Sequence, residues 1–383
     1  MSFTGKATFS AGVGPPEIAE DVSDLVSIVS PYETPLLHLL GDSMREARST
    51  VHEWLEDQLL PNFDSFSGAI TDALNQTSLG VANVARFRVG DQVRIGDKSE
   101  AMLVTGVDAI GGAITVVRGY GASARTALTV GVVLHILGNA ALEGDTAEAA
   151  RFTLRARQQN FTQIFSSTVE VSGSELAVRQ AGVADELNYQ KQLRLRELLR
   201  DLENCVINGR AAAANPQGST TIRRTMNGLV PMINQNVFVA GFGAMPIETQ
   251  LTEEALNTAL REVWMSSGSP VDLILVAAAQ KRQINSFMAA NRKFTSADQT
   301  FRDLVSVYES DFGVCRVALS RYVPQGTVLL LDSTRIEVLP LAGRSFFYKP
   351  LASTGDRESG QLVGEYTLEL RNANAHGIIT GLD

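Results

Sequence analysis

Apolar residues at Ile18, Val22, Leu25, Val26 and Val29 recur every three or four positions, which predicts a short amphipathic helix over 19–29. Ser30-Pro31 ends it, because a residue before proline avoids the α region. Thr34-Pro35 then sets a capping hydroxyl ahead of proline at the first helical position, and Leu36, Leu37, Leu39 and Leu40 form an apolar stripe that stops at Gly41. Between Arg86 and Asn139 the pattern changes to short alternating runs, FRVGDQVRIG, EAMLVTGVD, GAITVVRGYG and TVGVVLHILG, separated by glycine-rich turns. This predicts a self-contained antiparallel β unit, a small barrel or strongly twisted sheet, inserted between segments of different character.

The strongest helical pattern runs from Val183 to Asn208. Leu195, Leu198, Leu199, Leu202, Cys205 and Val206 share one stripe, Arg194, Arg196, Glu197, Arg200, Asp201 and Glu203 take the rest, and Asn208-Gly209 supplies a left-handed stop. At 1.5 Å per residue such a helix is about 36 to 39 Å long, the span of a whole small domain. Ala211 to Thr220 reads as a loop. Leu251 to Trp264 predicts a helix with Thr252 as N-cap and Glu253 and Glu254 in the first turn, leading into a buried strand at Leu273 to Ala277. A further helix is predicted at Gln280 to Met288, and strands at Val314–Leu319, Val328–Leu331, Arg335–Leu339, Gly364–Arg371 and His376–Thr380. The expected class is α+β.

Length adds a soft prior of two or three domains for 383 residues at roughly 150 residues each. With 44% hydrophobic and 20% charged residues, collagen-like and wholly disordered classes are excluded. The longest apolar run, Val271 to Ala279, is interrupted at Asp272 and falls short of the ~18 residues of a membrane span. The first residues lack the apolar core of a secretory signal, and the 2 cysteines cannot build a disulfide framework, so a reducing cytoplasm is expected. Net charge is -9 and lies mostly at the front: residues 1–60 hold three basic and ten acidic side chains, whereas 151–210 are slightly basic. Such acidity argues against nucleic-acid binding through phosphate neutralisation, although not against enclosing nucleic acid. The acidic start reads equally as a solvated tail or as a segment that docks on a basic neighbour.

Catalytic patterns are missing. No phosphate loop, dinucleotide fingerprint or nucleophile elbow occurs, and Gly241-Phe242-Gly243 is followed by Ala244, Met245 and Pro246. His52-Glu53 opens like a zinc-protease motif, but position 56 is glutamate, so the second ligand is absent. Asp311-Phe312-Gly313 imitates the kinase magnesium motif without the loops a kinase requires, and is read as a turn. Cys205 and Cys315 read as buried small apolar residues. No catalytic residue, cofactor site or metal site is predicted. An extended acidic arm over residues 1–20, a separate β insert and a long amphipathic helix suit assembly.

Six strings carry a resemblance when taken together: DVSDLVSIVSPYETPLLHLLG (Asp21–Gly41), HEW (His52–Trp54), RQQNFTQIFSSTVEVSG (Arg157–Gly173), YQKQLRLRELLRDLENCVINGR (Tyr189–Arg210), YESDFGVCRV (Tyr308–Val317) and GEYTLELRNANAHG (Gly364–Gly377). In this order the chain resembles the major capsid protein family of tailed bacteriophages with the SU-ten type of shell protein. The resemblance implies the tailed-phage capsid fold, shared with encapsulins and herpesvirus capsid floors. It implies an N-terminal arm (1–50) and an extended loop region (51–150) carrying the β insert (86–139). A peripheral domain (151–235 and 336–383) with its spine helix (183–208) and an axial domain (236–335) complete the implied layout. The implied function is self-assembly into hexamers and pentamers of an icosahedral shell around double-stranded DNA, in the virion, after assembly in the host cytoplasm. No catalysis or cofactor is implied.

An arm without its own core must find burial on a neighbour, so Leu25, Val26, Leu36 and Leu37 are expected as arm contacts. Asp21, Asp24, Glu33, Glu53, Glu56 and Asp57 are expected to pair with Arg194, Arg196 and Arg200 of a neighbouring spine helix, with Trp54 among the contacts. The chain has no room for a scaffolding segment of about a hundred residues before Asp21, so a separate scaffolding protein is expected, with a portal and possible decoration proteins as further partners and no membrane. An encapsulin-like compartment is the alternative, and an enzyme with convergent residues in the axial-like region the remote one.

Overall fold

The computed structural model describes residues 33–57, 59–144, 151, 153, 155–177, 185–243, 245–246, 249–291, 307–352 and 355–383. The helix predicted over 19–29, with Leu25, Val26, Asp21 and Asp24, lies outside them. Two compact units partition the chain: residues 57–156 form one, and 1–56 together with 157–383 the other. Helix α1 (Pro35–Leu40) and strand β1 (Val51–Glu56) precede the smaller unit. That unit holds β2 (Phe63–Ser65), β3 (Ser78–Gly80), β4 (Asp91–Ile95), β5 (Ala101–Asp108), β6 (Ala113–Val117) and β7 (Val133–Asn139). Then follow β8 (Ala156–Phe161), β9 (Gln163–Ser172), α2 (Gly173–Ala177), α3 (Glu186–Asn208), α4 (Leu229–Met232), β10 (Val237–Val239), α5 (Glu253–Ser267), β11 (Leu273–Val276) and α6 (Ala278–Asn291). The chain ends through β12 (Val307–Ser310), β13 (Gly313–Leu319), β14 (Val328–Leu331), β15 (Ile336–Pro340), β16 (Phe347–Pro350), β17 (Arg357–Leu370) and β18 (Gly377–Thr380). The class is α+β, with strands outnumbering helices.

In the smaller unit the antiparallel strands run in the order β2-β7-β4-β5-β6-β3. Its two edges meet: the Ser67 and Gly68 amides donate to the Gly80 carbonyl at 2.9 and 3.1 Å, and the Ala82 amide donates to the Ser65 carbonyl at 3.1 Å. Closing the sheet removes its free edges, and alternate residues fill the inside, among them Phe66, Leu79, Val93, Ile95, Met102, Val104, Ile114, Val116 and Leu134. The β structure therefore begins at Phe63 rather than at Arg86 as the alternation suggests. Strands β2 and β3 have 3 residues each, too short for a period of two to register. The seam needs glycine on both sides, since a Cβ on Gly80 would lie 2.8 Å from the Gly68 Cα.

In the larger unit the six-stranded sheet runs β10-β18-β14-β11-β13-β12. Its central strands show why their sequences read as unbroken apolar runs. On β11, Leu273 and Leu275 face one hydrophobic cluster while Ile274 and Val276 face another, and on β14 Leu329 and Leu331 part from Val328 and Leu330 in the same way. A strand covered on both faces has no polar side to alternate. Helix α5 supplies the second cluster through Leu256, Ala259, Leu260 and Val263 and is capped as predicted, the Thr252 hydroxyl accepting from the Ala255 amide at 3.2 Å.

Helix α3 is the predicted long helix, starting after Asp185, whose carboxylate accepts from the Asn188 amide at 3.1 Å. Leu195, Leu198, Leu199, Leu202 and Val206 are buried as the stripe predicts. Two expectations fail here. Glu203, assigned to the polar side, is 0% exposed. Gly209 is not a left-handed stop, having φ -53° and ψ 149°; glycine is needed because a Cβ would come within 2.4 Å of the Cys205 carbonyl oxygen.

The second sheet places β17 between β15 and β16 on one side and β9 on the other. The β9–β17 ladder runs for ten antiparallel pairs, from Gln163↔Tyr366 to Ser172↔Arg357. Strands β1 and β8 pair as a separate ribbon.

Candidate functional site

Several of the expected contact residues lie where the first described residues join the larger unit. Helix α1 has no local cap, because the Thr34 side chain makes no capping bond. Its first free amides are taken up from far along the chain: Leu36 N donates to Glu203 Oε1 and Leu37 N to Glu203 Oε2, each at 2.9 Å. Burial pushes the Glu203 carboxyl up to about 7, and the two amide bonds offset only part of that rise. Leu36 and Leu37 point into this chain's own core, 0% and 6% exposed. They were expected to contact a neighbouring subunit, and side chains so buried have no surface left to offer one.

The segment after α1 is held on β15 and β17 by charge. Ala47 N donates to the Pro340 carbonyl, and Ala342 N to the Ala47 carbonyl, both at 2.8 Å. The Arg45 guanidinium forks onto Glu369, at 3.2 and 3.3 Å, and reaches Glu337 at 3.1 Å. His52 Nε2 lies 2.5 Å from the second Glu369 oxygen, and Arg371 pairs with both glutamates. Burial raises the Glu369 carboxyl, but the hydrogen bonds from His52 and Arg45 outweigh it and hold the group below the usual carboxylate range. A cleft of about 310 Å³ lies between residues 40–45 and 333–338. Four residues earlier on the same strand, buried Glu365 accepts from the Thr162 hydroxyl at 2.6 Å and pairs with Arg224 at 2.5 Å and Arg344 at 2.8 Å.

The remaining expected contacts fall into two groups. Trp54 is buried, with its indole N–H donating to Glu56 Oε1 at 3.0 Å, and Glu56 also accepts from the Asn372 amide at 2.7 Å. Glu53 lies 3.6 Å from Arg157. Asp57 accepts from the Thr153 hydroxyl at 2.9 Å and faces Arg155 at 3.8 Å. On α3, Arg194 binds Glu197 one turn on at 2.5 Å and Arg200 lies 3.8 Å from Asp201. Arg196 and Arg200 are exposed. Large apolar side chains also stand in solvent: Leu59, Ile110 and Leu142 in the smaller unit, Met44, Phe242 and Met265 in the larger.

The smaller unit holds an ion pair that the sequence reading missed. Glu100 and Arg118 are 0% and 4% exposed, and Glu100 also accepts from the Gly119 and Thr126 amides. Burial raises the Glu100 carboxyl, and the Arg118 and Thr126 bonds bring it below its ordinary value.

The decoy motifs resolve into structure. Asp311-Phe312 is the two-residue turn of the β12–β13 hairpin, and His52 sits on a strand rather than a zinc-binding helix. Among the described residues no group of three His, Cys, Asp or Glu side chains could hold a metal, and no helix is long and apolar enough to cross a membrane. His376 is 0% exposed, its Nδ1 accepting from the Asp332 amide at 3.2 Å and its Nε2 facing the Arg371 carbonyl at 3.3 Å. Both ring nitrogens are thus occupied by backbone, and burial pulls its pKa down to about 4.

No curated protein matches the chain. Among solved structures it is similar to one from Microbacterium phage Oxtober96, at 14% identity over 82% of this chain and 95% of that one, with a TM-score of 0.42. It is similar also to one chain of a structure described as the Phage G major capsid proteins and decoration proteins, at 10% identity over 64% and 80% of the two chains and a TM-score of 0.40. The SrpI encapsulin complex of Synechococcus elongatus PCC 7942 matches at 12% identity over 60% and 76%, with a TM-score of 0.44. The model of one family, described as SU10 major capsid protein, matches residues 2–383. A match along the whole chain makes this protein a member of the SU10 major capsid protein family, and so a shell protein of the phage head.

Proposed function

We propose that this chain self-assembles into hexamers and pentamers that close an icosahedral shell around packaged double-stranded DNA. The single observation that carries the reading is the family match over residues 2–383. Residues 1–50 act as the arm, 51–150 as the extended loop region, 151–235 with 336–383 as the peripheral domain, and 236–335 as the axial domain. Helix α3 is then the spine helix. Assembly takes place in the host cytoplasm with a separate scaffolding protein and a portal, and decoration proteins can be added outside. The protein has no catalytic part in this, and DNA is enclosed without sequence readout, since a net charge of -9 repels rather than grips phosphate.

The exposed guanidinium groups of Arg196 and Arg200, with Arg194, pair with acidic side chains of a neighbour's N-terminal segment, Asp21, Asp24 and Glu33 foremost. Burial of Leu25 and Val26 on that neighbour adds to cohesion. Negative-stain microscopy and light scattering of the purified chain, alone and coexpressed with the other virion proteins, tests the reading. Closed shells or capsomer rings are expected; a monodisperse monomer under both conditions overturns it. R196E/R200E should then impair assembly while leaving the monomer's unfolding transition in place, and unaltered shells from that variant would remove the arginine contacts from the scheme.

A further inference from the structure

The contact between α1 and α3 has an uncommon composition. A carboxylate that is 0% exposed meets two backbone amides and, among the described residues, no cation. The charged and titratable groups around it have other positions or partners. On α3, Arg200 is exposed and faces Asp201. Glu33 stands in the approach to α1, and His38 is exposed on α1 itself. Arg321, exposed, and Tyr322 come from the connection between β13 and β14, and both Arg200 and Glu33 act electrostatically on Tyr322. Strands β13 and β15, which α1 also touches, bring Arg316 and Glu337, and Glu337 is held by Arg45. Helix α4, packed on α3, has no titratable side chain. Of the other elements against α3, β9 brings Glu170, held by Arg357. Strand β17 brings Glu365, held by Arg224 and Arg344, Tyr366, held by the Phe346 amide, and Glu369, held by Arg45, while Cys205 on α3 itself bonds Gln163.

We propose that Glu203 is a proton-operated latch on the root of the N-terminal segment: α1 is seated on α3 while Glu203 carries a proton, and is loosened when Glu203 is ionised. Ionised and enclosed, the carboxylate loses its water and regains only two neutral donors. Protonated, it keeps its carbonyl oxygen as a full acceptor for one of the two amides, accepts from the other only weakly at its hydroxyl oxygen, and no longer carries an unpaired charge. Lifting α1 returns the ionised group to water, so ionisation and release favour each other. The upward displacement of the Glu203 carboxyl to about 7 puts the changeover near neutral pH. Residue 33 leads directly into α1, so the latch acts on the first helix of the described chain. It goes beyond the shell reading, because it belongs to one chain before any assembly.

The test is hydrogen–deuterium exchange of the unassembled full chain from pH 5 to 8.5, with each amide corrected for its intrinsic rate. Opening at amides 36–41 should rise by up to tenfold per pH unit between about 5 and 7 and level off above. Amides in the middle of α3, at 195–199, should keep their protection throughout. E203Q, which keeps an acceptor and cannot ionise, should show the same protection at 36–41 at every pH. Protection at 36–41 that is independent of pH in the wild type overturns the latch, as does an equal slope in E203Q or a parallel change at 195–199. If E203Q does not fold, the wild-type profile decides alone. Because the readout is taken without assembly, its failure is distinct from failure of the shell reading.

Discussion

Arg118 meets Glu100 side by side inside the smaller unit, Nε donating to Oε1 at 2.7 Å and Nη2 to Oε2 at 2.8 Å. Arg118 Nη2 also donates to the Thr126 carbonyl at 2.6 Å, so the pair ties β6 and the start of β5 to the loop that follows. An isolated buried charge costs far more than a pair. Removing one partner, as in Arg118→Ala, is expected to destabilise this unit by about 3–5 kcal/mol, whereas replacing both with apolar residues, Arg118→Met with Glu100→Leu, should recover only the part due to the orphaned charge, because the Gly119 and Thr126 backbone groups then lose their partners. Chemical denaturation of the two variants measures the difference. Equal losses would mean that the charges themselves, rather than an orphaned partner, set the cost.

The barrel seam gives a second prediction. Gly68 and Gly80 approach so closely that a Cβ on Gly68 would lie 2.8 Å from the Gly80 amide nitrogen. Backbone cannot rotate aside, so Gly80→Ala should open the seam and cost about 1–3 kcal/mol, with faster exchange at the Ser67 and Gly68 amides. Gly138 on β7 has open space where a Cβ would go, and Gly138→Ala should leave the seam untouched. Matching exchange in both variants would show that the seam tolerates a side chain.

Stability against pH should carry two opposed contributions. His376 has its pKa lowered to about 4, so between that value and the ordinary 6.5 the unfolded chain binds more protons. Its contribution is complete above 6.5 and is lost as pH falls towards 4. Glu203 is raised to about 7 from 4.5, so there the folded chain holds the extra proton, and its contribution is complete below 4.5 and is lost as pH rises to 7. At about 1.4 kcal/mol per pH unit each, the two largely cancel between pH 4.5 and 6.5. Thermal unfolding of the wild type should therefore change little across this window. E203Q should lose stability on acidification, and His376→Asn should gain it. Identical slopes in all three proteins would contradict these assignments. Below about pH 4 the paired carboxylates Glu100, Asp332 and Glu369, held below their ordinary values, should dominate acid unfolding.

Local pattern determined a good deal about this protein. The leucine stripe of α3, the Thr252 cap of α5, the apolar runs of β11 and β14 and the alternation of β4 to β7 are set by neighbours within a few residues, so one chain read linearly discloses them. The family resemblance was legible too, because it rests on strings of residues. Tertiary structure decided the rest. Glu203 sits in a helical position that reads as polar, and only the arrival of α1, 166 residues away in sequence, buries it and occupies its oxygens. Leu36 and Leu37 looked like a sticky surface until that same contact enclosed them. The β9–β17 ladder joins segments nearly two hundred residues apart, and the seam between Gly68 and Gly80 depends on two strands of 3 residues each. Periodicity records which face of an element is covered, whereas the identity of the partner that covers it, and the charge that must then be accommodated there, is fixed by long-range contacts that leave no periodic trace.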